Sequence, residues 1–394
     1  MEQAGSVHPE PFCVALITDG LFPLSIGGMQ KHSVRLAAYM ADAGARVLLF
    51  HPHESADTGQ LFTPAQNRNI SSFYVPWPVM PSLPGHYILR NYLYSRAVHE
   101  RLLKEHLKPQ VIYAQGLSGW YSITRGLTET PVVLNLHGME MFQVLRGVRN
   151  QLNGWLLRLP AGKLMKHAAA VVSLGGKLSE IIRKQAPNQT ILELPVGIDV
   201  SWLEAPSASK TNGVREVLFV GRYEWRKGID LLNQVMPAVL AALKGRVKFS
   251  FIGDIPDTHR MNHPDIHYYG ALRDEQKIRS IYQNADLLVC PSYSEGMPTV
   301  ILEAMACGLP VVATNVGAVS LLVSDSTGKL IEAGSDDELL GALTALLEAP
   351  ADVLESMKVA AATKAKSFSW EKVARSTLDS LKHLASAYTA SRVP

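Results

Sequence analysis

The chain has 394 residues, 47% hydrophobic and 19% charged, which is typical of a soluble globular protein and favours two domains. A net charge of only +3 excludes the strong basic excess by which nucleic-acid-binding domains hold phosphates, so no nucleic-acid partner is expected. Three scattered cysteines, no secretory leader and no apolar run of about 18 residues predict a cytoplasmic protein without structural disulfides or a membrane span.

The first half of the chain has the pattern of a parallel sheet with helices between its strands. The predicted strands are apolar runs that end in turns or loops: 12–17, 46–50, 111–114, 132–136 and 168–174. Gly27 and Gly28 follow the first run, and such a pair is either a plain turn or a place where backbone approaches a phosphate or sugar. His137 follows the run at 132–136, at the edge where open α/β sheets bind ligands, although a histidine there is more often packed or capped.

A segment rich in aromatic residues and prolines occupies positions 73–94. Its prolines forbid a regular helix across the first part, so an irregular stretch leading into a helix over about 86–106 is predicted. The aromatic side chains could stack on an acceptor sugar. Packing in the core is the commoner role of such residues and is the favoured interpretation.

The second half begins after a small, polar segment at 206–213 that has the composition of a linker. A strand at 216–220 leads into a turn with Arg222 and Lys227, and a helix follows from about 229. An arginine fork and a lysine charge at the carboxyl end of a strand suit a diphosphate. The alternative is that both side chains are ordinary solvated residues of a loop.

The stretch at 292–318, SYSEGMPTVILEAMACGLPVVATNVGA, predicts a loop, a helix of about ten residues and a strand. Glu303 is the only charged residue in that helix, and because a buried unpaired carboxylate would cost several kcal/mol, we expect a hydrogen-bonding partner for it. Glu295 precedes the positive end of the same helix. The two carboxylates could hold sugar and ribose hydroxyls, or be a cap and a satisfied core residue.

Several strings in the chain closely resemble the signature of family 4 glycosyltransferases, which are retaining enzymes. The strings are EGMP at 295–298, LEAMACG at 302–308, PVVAT at 310–314, the glycine pair at 27–28, LHG at 136–138, GRYEWRKG at 221–228 and FSWE at 368–371. The resemblance implies an α/β fold of two Rossmann-like domains facing across a cleft (GT-B-type). It places a first, acceptor-binding domain at 1–200, a nucleotide-sugar-binding domain at 213–371, and a last helix at about 372–394 that crosses back to the first domain.

The resemblance also implies residue roles. Arg222 and Lys227 would neutralise a leaving diphosphate, Glu303 would bind ribose hydroxyls, Glu295 sugar hydroxyls, and His137 would lie beside the donor sugar. The other positions implied to touch the donor are Gly27, Gly28, Gly221, Gly253, Tyr269, Ala271, Gly296, Met297, Pro298 and Thr299. No cofactor is implied beyond the donor substrate, a UDP- or GDP-sugar. No metal is expected, because no Asp-x-Asp appears and the two cations can supply the positive charge.

Three departures from the family pattern prevent donor preference from being carried over. Val196 replaces an Asn at the domain junction, Ala318 replaces a second Gly, and Leu321 stands where relatives often have Glu. The acceptor, whether a glycan, a lipid-linked sugar or a small molecule, also stays open. The alternatives to transfer are a nucleotide-sugar epimerase on the same fold and a catalytically silent nucleotide-sugar-binding protein.

The stretch at 141–179 is basic, with six Arg or Lys residues and no acidic one, and contains Trp155 among leucines. Such a stretch could touch an anionic membrane surface, which would make the protein peripheral at the membrane. The alternative, slightly favoured from the sequence, is a pair of helices whose leucines are core and whose cations are merely solvated.

Overall fold

The computed structural model describes residues 10–54, 58–81, 85–125, 129–203 and 213–391. These residues form two parallel sheets, one of seven strands and one of six, joined through helices. The first sheet draws on residues 13–193 and the second on residues 215–331. The predicted α/β class, with two Rossmann-like domains, is confirmed. The predicted linker falls almost entirely on residues 204–212, which lie outside the described ranges.

The strands of the first sheet lie in the order β3-β2-β1-β4-β5-β6-β7, and every neighbouring pair is parallel. They are β1 (Cys13–Ile17), β2 (Arg46–His51), β3 (Ile70–Tyr74), β4 (Val111–Gln115), β5 (Val132–Asn135), β6 (Ala170–Ser173) and β7 (Ile191–Glu193). The central strands are apolar without alternation because both of their faces are covered. The strand order reverses between β1 and β4, which opens a crevice at their carboxyl ends.

The helices of the first domain are α1 (Gly28–Asp42), α2 (Pro64–Asn67), α3 (His86–Lys104), α4 (Trp120–Arg125), α5 (Val148–His167) and α6 (Lys177–Gln185). The predicted helix over 86–106 corresponds to α3. Of the aromatic segment, Phe73 stacks on Phe50, and Tyr94 is fully buried and donates a hydrogen bond to the Thr18 carbonyl at 2.8 Å. The ring of Trp77 lies 4.4 Å from that of Tyr94. Phe73, Trp77 and Tyr94 therefore pack in or against the core, whereas Tyr74 and Tyr87 of the same segment are exposed.

The second sheet has the order β10-β9-β8-β11-β12-β13 and is also parallel. Its strands are β8 (Arg215–Val220), β9 (Val247–Ile252), β10 (Ile266–Gly270), β11 (Leu287–Cys290), β12 (Val311–Thr314) and β13 (Gly328–Ile331). Its helices are α7 (Ile229–Ala242), α8 (Glu275–Asn284), α9 (Thr299–Ala306), α10 (Asp336–Leu347) and α11 (Ala351–Ala365). The predicted loop, helix and strand after residue 291 correspond to the loop before α9, α9 itself and β12.

The last described helix, α12 (Trp370–Ala390), returns to the first domain and packs on α1. Its first residue, Trp370, is buried against the rings of His32 and Tyr39. A bridge between Ile198 and Ser369 joins the two crossing segments just before the helix. The predicted return of the last helix is confirmed.

Candidate active site

The loop between β11 and α9 carries Glu295, which is buried at the junction of the two domains. Its carboxylate accepts hydrogen bonds from the Ser292 hydroxyl at 2.8 Å and from Lys227 Nζ at 2.6 Å, and Arg226 lies 3.7 Å from its other oxygen. Burying a lone carboxylate would be costly, and the two cations offset that cost. The loop thereby holds one acid and two cations together before the N-terminus of α9.

The cations come from the turn after β8, where a short 3-10 helix, Trp225–Lys227, orients the side chains. The sequence predicted that Arg222 and Lys227 converge, but the arginine that joins Lys227 at Glu295 is Arg226. The side chain of Arg222 is 70% exposed and pairs with Glu224 at 2.8 Å. Arg222 and Arg226 share this acid, since Arg226 also lies 2.8 Å from Glu224.

Arg226 also reaches the first domain, where its guanidinium lies 3.6 Å from Glu140. Burial acts to lower the pKa of Arg226, but Glu140, Glu295 and Glu224 outweigh it and raise the pKa above its ordinary value. Arg226 therefore stays charged and links the two domains. Sequence reasoning missed it, although its position directly before Lys227 in a strand-to-helix turn was a usable signal.

Glu303 projects from α9 toward the first domain, and it has a hydrogen-bonding partner, as predicted from the sequence. The hydroxyl of Tyr282 donates to its carboxylate at 3.2 Å, and Lys31 Nζ of α1 lies 3.8 Å away. Burial raises the pKa of Glu303, while Lys31 and the Tyr282 hydrogen bond counteract that rise. Lys31 was not predicted, because it lies in the other domain.

His137 follows β5 with a left-handed backbone, φ 53°. Its N–H donates to the Asn135 side chain at 2.8 Å, and its Nε2 lies 2.9 Å from the amide oxygen of Gln115. The ring of His32 meets it edge-on at 4.9 Å. Burial, with His32 as a second cause, lowers the pKa of His137 well below its ordinary value. His137 is therefore a neutral hydrogen-bonding group at pH 7 rather than a cation.

A cavity of about 360 Å³ opens beside the Glu295 loop, between α5 and the turn after β8. Its lining combines charged, aromatic and aliphatic side chains, including Glu140, Arg146, Leu157, Trp225 and Arg226. Ser294 also lines it, and the buried Ser294 hydroxyl has no hydrogen-bond partner among the residues that the structure describes. A buried hydroxyl without a partner is costly, so the cavity offers an unused polar contact to a ligand.

Comparison with known proteins bears on this arrangement. Residues 26–202 match a family model described as Glycosyltransferase Family 4, and residues 214–349 match one described as Glycosyl transferases group 1. Together these segments include every strand of the two sheets except β1, and they include Glu295 with its partners Ser292, Lys227 and Arg226. The chain belongs to the family 4 glycosyltransferases.

Curated relatives of this family member align over part of their length. TuaC of Bacillus subtilis (strain 168), provisionally named a teichuronic acid biosynthesis glycosyltransferase, is 28% identical over 64% of each chain. D-inositol 3-phosphate glycosyltransferase of Paenarthrobacter aurescens (strain TC1) is 31% identical over 50% of this chain and 53% of its own. The enzyme of that name from Kribbella flavida is 34% identical over 44% of this chain and 45% of its own. The alignments thus span less than two-thirds of these relatives.

Solved structures share the fold over nearly the whole chain. Sucrose-phosphate synthase from Thermosynechococcus elongatus superposes with a TM-score of 0.74 at 20% identity, covering 95% of this chain and 100% of the synthase. Anabaena HepE, solved in complex with UDP-glucose, has a TM-score of 0.63 at 19% identity, covering 94% and 99%. At these identities the likeness establishes the GT-B fold alone.

Some of the remaining motif residues of this family 4 chain lie at the ends of helices and strands, and the others are packed against protein. Gly27, Gly28, Pro298 and Thr299 lie at helix N-termini, Gly27 as the cap of α1 and Pro298 as the cap of α9. A Cβ on Gly28 would meet nothing within 4 Å, so the backbone there borders open space. Tyr269 and Ala271 lie at the end of β10, where the Tyr269 ring packs edge-on against His267.

The other group is packed against protein. A Cβ on Gly253 would collide with the Gly221 carbonyl, so these two positions need close backbone contact whether or not a ligand is bound. Gly296 lies against Gly138 of the first domain, with 3.1 Å between its Cβ position and the Gly138 Cα. Met297 is buried, and its sulfur accepts a hydrogen bond from the N–H of Val196 at 3.3 Å.

The described residues contain neither a membrane-spanning helix nor a cluster of potential metal ligands. None of the described helices has the length and apolar character required to cross a bilayer. Groups of three or more His, Cys, Asp or Glu side chains placed to hold a metal ion are not found among the described residues.

Proposed function

We propose that this protein transfers a glycosyl group from a nucleotide sugar, a UDP- or GDP-sugar, to an acceptor, with retention at the anomeric carbon. The observation that carries the proposal is the cluster of Glu295, Lys227 and Arg226 before the N-terminus of α9, in the cleft between the domains. Cations and a helix N-terminus together stabilise a diphosphate that gains charge as it leaves. The glycosyltransferase names of the relatives and the UDP-glucose bound by HepE support it.

In this mechanism Lys227 and Arg222 neutralise the leaving diphosphate. Arg222 is exposed and, among the described residues, pairs with a nearby acid, Glu224, so it can reorient toward the ligand. Glu295, held in place by Ser292, accepts hydrogen bonds from hydroxyls of the transferred sugar. Neutral His137 contacts the same sugar without adding a charge. Glu303 accepts hydrogen bonds from the ribose. Because His137 belongs to the first domain and Glu303 to the second, both domains contribute to donor binding.

The decisive experiment is a turnover assay with UDP-, GDP- and ADP-sugars, each offered with and without a glycan, lipid-linked or small-molecule acceptor. Acceptor-dependent release of nucleoside diphosphate, with the donor's anomeric configuration kept in the product by NMR, is expected. An epimerised donor formed without acceptor would instead assign the protein as an epimerase. Binding without any turnover would assign it as a silent nucleotide-sugar-binding protein.

Metal independence is part of the proposal, because Lys227 and Arg222 supply the charge that a divalent cation supplies elsewhere. We expect the transfer rate to survive excess EDTA. The assay is run with and without EDTA on the same preparation. Complete loss of transfer, restored by magnesium or manganese, would contradict this expectation.

A further inference from the structure

Helix α5 exposes a stripe of apolar side chains that no described part of the chain covers. Val148, Leu152, Trp155 and Leu159 are 83%, 56%, 55% and 64% exposed. At about 100° per residue, these four positions fall within an arc of about 60° on one face of the helix. We call these four residues the α5 stripe. The interpretation favoured from the sequence, that the leucines here belong to the core, holds for Leu164 and partly for Leu157, but it is wrong for Leu152 and Leu159.

Cations surround the α5 stripe. Arg149 lies on one side of it, about 100° from Val148, and Lys163 and Lys166 continue the same face toward the helix C-terminus. All three side chains are exposed, and none forms an ion pair within the described part of the chain. No acidic residue occurs between positions 141 and 179. The exposed face of α5 therefore combines apolar side chains with positively charged ones.

The opposite side of α5 forms a wall of the cleft cavity. Asn153, Gly154 and Leu157 line that cavity together with Arg226 and Ser294 of the second domain. A helix with its side chains is about 10–12 Å across. The α5 stripe and the cavity are therefore separated by about one helix diameter.

We propose that α5 lies on the surface of an anionic phospholipid bilayer, with the α5 stripe inserted at the level of the acyl-chain boundary. Arg149, Lys163 and Lys166 then contact the headgroup phosphates. An apolar face bordered by cations is the pattern of helices that lie in a membrane interface. Charge complementarity favours the bilayer, because anionic headgroups supply a continuous negative surface for the cations beside the α5 stripe.

One consequence rests on the proposed function. A helix held at the bilayer brings the cavity about one helix diameter from the headgroups, so the acceptor that reaches it is the head of a lipid-anchored molecule. The anchor can stay in the bilayer while the head enters beside Ser294 and Arg226.

Vesicle co-sedimentation of the full chain tests the docking. Binding to vesicles of equal parts phosphatidylcholine and phosphatidylglycerol, weakening with salt, is expected, with little binding to phosphatidylcholine alone. Changing Arg149, Lys163 and Lys166 to Ser is expected to weaken binding about a hundredfold, at about fivefold per cation. Equal binding to neutral and anionic vesicles, or binding to neither, overturns the proposal.

A second set of variants locates the contact. Leu152→Ser, Trp155→Ser and Leu159→Ser together are expected to lower vesicle binding by at least about tenfold, because the apolar anchor is lost. The matched control is Val353→Ser with Val359→Ser, two exposed apolar residues of α11 in the second domain. Equal effects of the two sets would overturn the assignment to α5.

Trp155 provides a direct probe. Vesicles of brominated phospholipid are expected to quench the fluorescence of the wild-type protein more than that of Trp155→Leu, which keeps an apolar side chain. Equal quenching overturns the proposal. So does a dimer that forms without vesicles and is lost in the Leu152, Trp155 and Leu159 variant, because the α5 stripe would then be a protein interface.

Transfer to a water-soluble acceptor separates the two proposals. The Arg149, Lys163 and Lys166 variant is expected to keep the wild-type rate with such an acceptor, since none of these three residues lines the cavity. Absence of transfer in the wild-type protein counts against the proposed function and leaves the vesicle experiments as the test of docking.

Discussion

At the residue scale, the site depends on a few charged side chains whose surroundings fix their charge. Lys227 lies 2.6 Å from Glu295, and Ser292 holds the same carboxylate oxygen, so the lysine is oriented before any ligand arrives. Preorganised charge of this kind costs little reorganisation during a reaction. The contribution of Lys227 is therefore expected to appear mainly in the transition state.

Replacing Lys227 with Ala is expected to lower kcat/KM for transfer by tenfold to a thousandfold, corresponding to about 1.4–4 kcal/mol of electrostatic stabilisation. The matched control is Lys248→Ala, an exposed lysine on β9 of the same domain. Steady-state kinetics with a verified donor measure both variants. A Lys227→Ala enzyme with wild-type kcat/KM would show that Lys227 has no role in transfer.

Buried His32 is expected to make the folded protein less stable at acidic pH. Its two ring nitrogens are buried and have no hydrogen-bond partner in the described part of the chain, and burial lowers the pKa of His32 from 6.5 to about 4. Below pH 6.5 the unfolded chain binds a proton that folded His32 refuses. His32 therefore does not lower the free energy of unfolding above pH 6.5, and it lowers this free energy progressively as the pH falls from 6.5 toward 4. The lost stability amounts to about 3 kcal/mol.

His32→Leu is expected to reduce this acid sensitivity, since leucine fills a similar volume and does not titrate. Buried His137 still titrates in the variant, so some pH dependence stays. Urea midpoints at pH 7 and pH 5 measure the change, with the exposed His383→Leu as control. If wild type and His32→Leu lose the same stability on acidification, His32 is not the cause.

At the scale of elements, the apolar runs between breakers sufficed to predict most of the strands, because buried parallel strands are apolar on both faces. β3 (ISSFY), the three-residue β7, β10 (IHYYG) and β13 (GKLI) were not predicted as strands, because none of them has a continuous apolar run of that length. Two functional acids were predicted around the N-terminus of α9, Glu295 in the loop before it and Glu303 within the helix. The role of Lys31 could not be predicted, since it depends on which residues face each other across the cleft. The role of Arg226 was missed although this residue directly precedes Lys227, because the turn of a short 3-10 helix decides which arginine reaches Glu295.

The Glu295 loop is itself held by the turn after β12. Gly317 has φ +54°, and a Cβ there would collide with the carbonyl oxygens of Glu295 and Gly296. The Gly317 carbonyl also accepts a hydrogen bond from the Lys177 N–H of α6 at 2.9 Å. The turn thus fixes the loop between both domains, and only glycine fits it.

Gly317→Ala is expected to lose more stability than the roughly 1–2 kcal/mol that a left-handed alanine costs, and to slow transfer, because the Glu295 loop must move. Gly245→Ala is the matched control, since Gly245 has a similar φ of +73° but no atom within 4 Å of its Cβ position. Denaturant unfolding and transfer rates are compared. Similar losses in both variants would mean that the contact with the loop is unimportant.

At the scale of the whole molecule, the two domains meet through the residues assigned to the donor. Lys31 of α1 lies 3.8 Å from Glu303, and the Gln143 side chain donates to the Glu295 carbonyl at 2.7 Å. Helix α12 ties the end of the chain to α1 as well. The resemblance predicted this two-domain arrangement. The acceptor surface that we propose, which includes α5, has little sequence signal because it combines separate segments of the chain.

The central claim is that the cleft binds a nucleotide sugar through Glu303 and the cations of the second domain. A thermal-shift panel of UDP-, GDP- and ADP-sugars tests it on the wild-type protein and on Glu303→Gln, which can still accept the Tyr282 hydrogen bond. One nucleotide class is expected to raise the wild-type Tm, since a ligand at a hundred times its Kd adds about 2.7 kcal/mol of stability.

Glu303→Gln is expected to fold but to bind the same donor roughly tenfold to a hundredfold more weakly, because it loses charge-assisted hydrogen bonds of about 1.5–3 kcal/mol. The Tm shift should then appear only at correspondingly higher donor concentration. A wild-type Tm unchanged by every nucleotide sugar at saturating concentration, or an identical donor affinity in Glu303→Gln, would contradict the account.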